Sequence, residues 1–133
     1  MRMMNGTPPI PAYYAALPGL DIIGRVGVPA IRERSRRMTA RLLELVDRRG
    51  WHTPTSRDPE RVAGTVAIDV PDALPASRAL KARDVIVDYR PRVGIRVSPH
   101  FYNTFDELDT LVQMLAEVLE AKAFATAPSS RVT

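Results

Sequence analysis

The sequence predicts one α+β domain with helices packed on one face of a three- to four-stranded, mainly antiparallel sheet. Apolar residues recur at helical spacing in residues 29–49 and again from Leu108 to Leu119, which indicates two amphipathic helices. Residues 62–70, 85–89 and 94–98 are rich in valine and isoleucine at strand spacing. A chain of 133 residues is long enough for one hydrophobic core.

Composition excludes several kinds of site. The chain has no cysteine, so disulfides, thiolate metal sites and thiol nucleophiles are absent, and the cytoplasm is the expected compartment. No apolar stretch approaches the ~20 residues of a membrane helix, and no signal peptide is visible, so we expect no membrane association. The net charge is +4 and the pI about 10.0. This basic balance fits either nucleic-acid binding or a solvated surface of ion pairs.

The N-terminal part is expected to be a stiff, extended arm over residues 1–11, because its prolines fix φ and remove amide donors. Residues 12–125 should form the single domain, and residues 126–133 a frayed tail. The first helix is predicted over 12–26, with a kink or a restart at Pro18.

The second helix, over 29–49, has an apolar face and a strongly basic one. Glutamates and an aspartate are interleaved with its arginines, which favours ion pairs, and the helix lacks aromatic platforms for RNA. Arg34, Arg36 and Arg37 would be central to a nucleic-acid surface. Gly50 is placed to end the helix.

Residues 62–70 are predicted to be the central strand of the sheet, and a short helix over 75–83 follows, with Leu80 as its apolar contact. The last helix opens with a capping-box pattern. Thr104 is the expected N-cap, and Glu107 lies three residues further on.

The last two strands, 85–89 and 94–98, are joined by a turn, and alternation places Arg96 away from the core. Asp88 and Arg90 lie on the alternate face of the first of these strands and would neighbour Arg96 if the strands pair. An arginine on a rigid strand can bind a carboxylate through two hydrogen bonds. An inter-strand ion pair between Arg96 and Asp88 explains the same pattern equally well.

Other candidates for chemistry are weak. His100 follows the last strand and is more typical of a packed or exposed turn histidine than of a functional one. Ser35 and Ser98 have no acid–base partners at a recognisable spacing, and no metal-ligand cluster is visible. The sequence therefore predicts neither a catalytic residue nor a metal site within this chain.

The stretch 94–104 (Gly-Ile-Arg-Val-Ser-Pro-His-Phe-Tyr-Asn-Thr), continued by 107–109 (Glu-Leu-Asp), resembles the C-terminal end of class V aminotransferase-fold enzymes. These are pyridoxal-phosphate (PLP) proteins of fold type I. The segment 6–9 (Gly-Thr-Pro-Pro) is similar to the family's Gly-Thr-Pro segment, which joins its large and small domains. The segment 87–91 (Val-Asp-Tyr-Arg-Pro), followed by Gly-Ile-Arg, is most similar to the kynureninase branch. The resemblance covers about residues 6–122.

The resemblance implies specific roles. Arg96 matches the arginine that holds the α-carboxylate of an amino-acid substrate, and Arg90 matches a second active-site arginine in part of the family. Gly6 and Thr7 match a segment in which the threonine reaches the cofactor phosphate of a neighbouring subunit. The complete enzyme would then be a PLP-dependent homodimer with lyase, hydrolase or aminotransferase chemistry.

The sequence differs from the family mainly in one respect: no segment of it matches the PLP-binding large domain. Lys81 and Lys122, the only lysines, do not match the Schiff-base lysine, so we expect no cofactor and no catalysis in the isolated chain. The absence of cysteine disfavours the cysteine desulfurase branch. Two alternatives remain: a free-standing basic α+β module that binds nucleic acid or a protein, and a degenerate remnant without a catalytic role.

Overall fold

The structure is a computed structural model that describes residue 6 and residues 9–121. The described residues up to Glu33 form one compact unit, and those from Arg34 onward form a second. Four helices and three strands follow one another in the order α1 Ile10–Val26, α2 Val28–Arg48, β1 Val66–Ile68, α3 Ala73–Lys81, β2 Asp88–Arg90, β3 Gly94–Val97 and α4 Phe105–Ala121.

Helix α1 begins at Ile10, two residues before the boundary expected from the prolines. Pro11 lies in the first turn, where its missing N–H is not needed for an intrahelical hydrogen bond. Of the predicted kink or restart at Pro18, the restart is wrong, because the helix continues through this residue. Pro18 removes one intrahelical donor and crowds the carbonyl four residues earlier, and α1 accommodates it within a continuous helix. The helix ends at Gly27, whose φ of 86° suits only glycine well.

The sheet has the order β1-β3-β2, and both pairs are antiparallel. The central strand is therefore β3, and the prediction that residues 62–70 form the central strand is wrong. Only Val66–Ile68 of that segment is a strand, and it lies at an edge of the sheet. Its residues are all buried, which explains why its composition suggested a central position. The predicted strand 85–89 is displaced along the chain: residues 85–87 lie outside β2, which runs from Asp88 to Arg90.

The core of the second unit lies between the helices and the sheet. Met38 and Leu42 of α2, Ile95 of β3 and Leu115 of α4 are completely buried. Leu80 of α3 is also completely buried, as the sequence predicted. The α+β class with a three-stranded antiparallel sheet is confirmed, and this layer fixes the strand that carries Arg96.

The predicted end of α2 and the predicted start of α4 are also confirmed. Gly50 follows α2 with a φ of 65°, and its N–H donates to the Asp47 carbonyl at 2.9 Å. At the start of α4, the Thr104 N–H donates to Glu107 Oε2 at 2.7 Å, and the Glu107 N–H donates to Thr104 Oγ1 at 3.2 Å. This reciprocal pair is the predicted capping box.

Candidate functional site

Arg96 lies in the middle of the sheet, directly between two neighbours. Its partner on β1 is Ala67, and its partner on β2 is Asp88. Directly opposite residues of antiparallel strands share one face, so the three side chains lie side by side. Ala67 is small, so it does not cover the guanidinium, and the Arg96 side chain remains 39% exposed.

Asp88 joins two arginines. Arg96 donates to Asp88 Oδ2 from Nε at 2.9 Å and also from Nη2. Arg90 Nε lies 3.0 Å from the same oxygen. The inter-strand ion pair considered from the sequence is therefore present. Arg90, matched to a second active-site arginine by resemblance, lies in the same cluster.

The electrostatics of this cluster favour an incoming anion. The hydrogen bond from Arg96 lowers the pKa of Asp88, and the charges of both arginines act in the same direction, so Asp88 stays ionised at neutral pH. Two guanidinium cations and one carboxylate anion leave one net positive charge. A monoanionic carboxylate would neutralise it.

The loop after β3 is held by an arginine from α2. Arg34 donates from Nε to the Phe101 carbonyl and from Nη2 to the Asn103 carbonyl, each at 2.7 Å. Within the loop, the His100 N–H donates to Asn103 Oδ1 at 2.8 Å. The His100 ring stacks on the Tyr102 ring with centroids 4.6 Å apart. His100 is thus an exposed turn residue engaged with its neighbours, as the sequence favoured.

Sequence reasoning missed the role of Arg34, which it placed on a possible nucleic-acid surface. The partners of Arg34 are backbone carbonyls, and Phe101 is 67 residues away. Carbonyls carry no sequence signal, and only the folded structure brings them to Arg34.

Three arginines of α2, namely Arg36, Arg41 and Arg48, form ion pairs with acidic side chains. Arg36 pairs with Glu60 at 2.9 Å, and Arg41 pairs with Asp109 at 3.0 Å and with Glu44 at 2.9 Å. The hydrogen bond from Arg41 lowers the pKa of Asp109. These pairs match the ion-paired surface that the interleaved acids suggested, and no contact in the described part of the chain favours the nucleic-acid alternative.

The residues matched to cofactor contacts remain a prediction. Thr7 lies outside the described residues. Gly6 is exposed and has a φ of 108°. Lys81 is exposed in the last turn of α3, and Lys122 lies outside the described residues.

The one lysine among the described residues is not in a setting that fits PLP. A PLP site needs a lysine within a pocket and a cup of donors for the phosphate. Lys81 is exposed and is the only lysine among residues 6 and 9–121. The same residues contain no group of three or more histidines, aspartates or glutamates that could hold a metal ion. None of their helices is long and apolar enough to cross a membrane.

The fold is similar to parts of two longer proteins of known structure. A solved cysteine desulfurase from Thermococcus onnurineus NA1 matches 90% of this chain with a TM-score of 0.79, at 22% sequence identity over 34% of its own length. A NifS-like protein matches 88% of the chain with a TM-score of 0.70 and 21% identity. At these identities the likeness shows the fold alone.

The sequence comparisons assign the chain to one family. The model of the kynureninase C-terminal domain matches residues 31–115, and the chain belongs to this family. The kynureninase of Pseudomonas fluorescens is 32% identical over 131 residues, which are 95% of this chain and 32% of that protein. The kynureninase of Bacillus mycoides (strain KBAB4) is 27% identical over 131 residues, or 31% of its length. The chain thus spans about a third of the relatives it matches, and these relatives are PLP-dependent enzymes.

Proposed function

We propose that this chain acts as the small domain of a kynureninase-type PLP enzyme and binds the carboxylate of an amino-acid substrate through Arg96. The observation that carries the proposal is the position of Arg96 on the central strand, beside a second arginine and with one net positive charge. A planar guanidinium on a rigid strand suits bidentate carboxylate binding. Arg90 adds a second cation to the same site.

A PLP-binding large domain is the partner that this function requires. Helix α1 has no buried residue in the described chain, yet it carries large apolar side chains along its length. Tyr14 is 71% exposed and Leu20 is 60% exposed. An exposed apolar surface of this kind is typical of an interface. We therefore expect α1 to dock against the large domain, which would also supply the cofactor pocket.

We also propose that the chain does not catalyse the reaction alone. The described part offers only Lys81 as a side-chain amine, and this residue is exposed in the last turn of α3, outside the Arg96 cluster. Gly6 and Thr7 remain candidates for contact with the cofactor phosphate across a homodimer interface. Cytoplasmic location and the homodimer stay predictions.

A chimeric enzyme tests the proposal directly. The 131-residue part of the Pseudomonas fluorescens kynureninase that matches this chain would be replaced by the corresponding residues of this chain. We expect the chimera to bind PLP and to retain kynureninase activity. The Arg96→Lys variant should lose about 10- to 100-fold in kcat/KM, mainly through a higher KM, because lysine cannot make the bidentate contact.

The matched control is Arg61→Lys, which makes the same chemical change at an exposed arginine outside the cluster. Its kcat/KM should stay within about twofold of the parent chimera. Full activity in the Arg96→Ala chimera would contradict the carboxylate-binding role. A chimera that folds and binds PLP but has no activity would show that this chain does not support the reaction.

A further inference from the structure

We propose that Asp88 is a positioning residue, which holds the guanidinium of Arg96 so that its free edge faces an incoming carboxylate. This inference rests on the proposed function of Arg96. It assigns a task to a side chain that does not itself contact the substrate.

A guanidinium has two edges that can each bind a carboxylate through two N–H groups. The first edge consists of Nε and Nη2, and both atoms donate to Asp88 Oδ2. The second edge consists of Nη1 and the other N–H of Nη2. Within the described residues, Nη1 of Arg96 has no hydrogen-bond partner. Asp88 therefore occupies one edge and leaves the other edge available.

The backbone makes this arrangement rigid. Asp88 and Arg96 are direct partners in the register of β2 and β3, so the distance between their Cα atoms is set by the sheet. Aspartate has a short side chain with few rotamers, and it fixes a long side chain that otherwise has many. A side chain that is ordered before the ligand arrives loses less entropy when the ligand binds.

Arg90 supplies the positive charge that keeps the cluster attractive to an anionic substrate, although the Asp88 carboxylate lies beside Arg96. A single Asp88–Arg96 pair would be neutral. Because Arg90 Nε also lies 3.0 Å from Asp88 Oδ2, the cluster keeps one net positive charge. Asp88 thus gives orientation, while the second arginine restores the charge that draws an anion.

The inference is tested by ligand selectivity in the full 133-residue chain. Propionate and chloride carry the same charge, but only propionate can accept two parallel hydrogen bonds. Their affinities would be measured from the arginine Nε–H signals of Arg96 in ¹⁵N NMR titrations. We expect about tenfold tighter binding of propionate than of chloride in the parent chain, the difference that a bidentate contact typically makes.

Two substitutions separate orientation from charge. Asp88→Ala removes both the acceptor and the charge, whereas Asp88→Asn keeps an acceptor oxygen without the charge. Both variants should bind chloride more tightly, because a nearby anion is gone. The preference for propionate should fall to about threefold or less in Asp88→Ala and should be intermediate in Asp88→Asn. Asp47→Ala removes the carboxylate that pairs with Arg57, and it should leave the preference at Arg96 unchanged.

The outcomes distinguish the two proposals. An unchanged preference for propionate in Asp88→Ala would overturn the positioning role and leave the carboxylate-binding role of Arg96 intact. No preference for propionate in the parent chain would count against Arg96 as a carboxylate site, and the inference about Asp88 would be lost with it.

Discussion

Gly94 and Ile68 lie in such close contact that only glycine fits at position 94. A Cβ built on Gly94 would be 2.2 Å from the Ile68 carbonyl oxygen, far inside any real contact. Gly94 also has a φ of 96°, a value that residues other than glycine rarely adopt. This contact brings β3 against β1 two residues before Arg96.

We therefore expect Gly94→Ala to lower the free energy of unfolding by roughly 2–4 kcal/mol, since steric overlap and backbone strain act together. The midpoint of urea unfolding would measure the loss. The control is Gly24→Ala in α1, where a Cβ has open space and φ is not positive. That variant should be neutral or stabilising by up to about 1 kcal/mol. Equal stability of the two variants would show that β3 does not approach β1 in this way.

Arg34 should matter for the loop between β3 and α4. Arg34→Met removes both donors to the Phe101 and Asn103 carbonyls while keeping much of the apolar stem. We expect a loss of about 1–3 kcal/mol in the free energy of unfolding, because partly buried carbonyls lose charged donors. A protease other than trypsin should also cleave this loop faster.

Arg61→Met is the control for Arg34→Met, since Arg61 is exposed. It should change the free energy of unfolding by no more than about 0.5 kcal/mol. A loop that resists proteolysis as well in Arg34→Met as in the parent chain would contradict the proposed anchoring.

Stability should fall in acid. The N–H of Thr104 and the side chain of Asn103 lower the pKa of Glu107 below its ordinary value of 4.5. Arg41 lowers the pKa of Asp109 below 3.8. Because the unfolded chain then binds more protons than the folded one, these groups stabilise the fold above their ordinary pKa values. Their contribution is lost as the pH falls through the lower, folded values.

Urea unfolding at several pH values between 7 and 3 would measure this effect. The free energy of unfolding should depend little on these two groups near pH 6–7 and should decrease below about pH 4.5. Glu107→Gln should reduce the slope of that decrease. An unchanged slope would mean that the capping-box contact does not perturb the carboxyl group in solution.

Local patterns predicted the parts of the fold that depend on nearby residues. The start of α4 follows from Thr104 and Glu107, which cap it through contacts three residues apart. The orientation of Arg96 follows from strand alternation, and its neighbour Asp88 follows from pairing of the last two strands. These are contacts over short separations along the chain.

Long-range relationships were not predictable in the same way. Valine-rich composition cannot tell an edge strand that is buried on both faces from a central one, so β1 was assigned the wrong position. Arg34 contacts carbonyls 67 and 69 residues away, and no side chain marks those positions.

The exposed apolar surface of α1 leads to the last prediction. The chain alone should self-associate at micromolar concentrations, because large apolar side chains such as Tyr14, Leu17 and Leu20 are left in water. Leu20→Glu should raise the dissociation constant about tenfold or more, since burying one leucine contributes about 1.5–3 kcal/mol. Sedimentation equilibrium would measure this dissociation constant.

Ala16→Glu is the control, because it makes the same charge change on the same helix with little apolar area lost. Its effect should be several-fold smaller. A parent chain that stays monomeric at high concentration would show that α1 does not mediate self-association. The expected docking of a large domain on this helix would then lose its support.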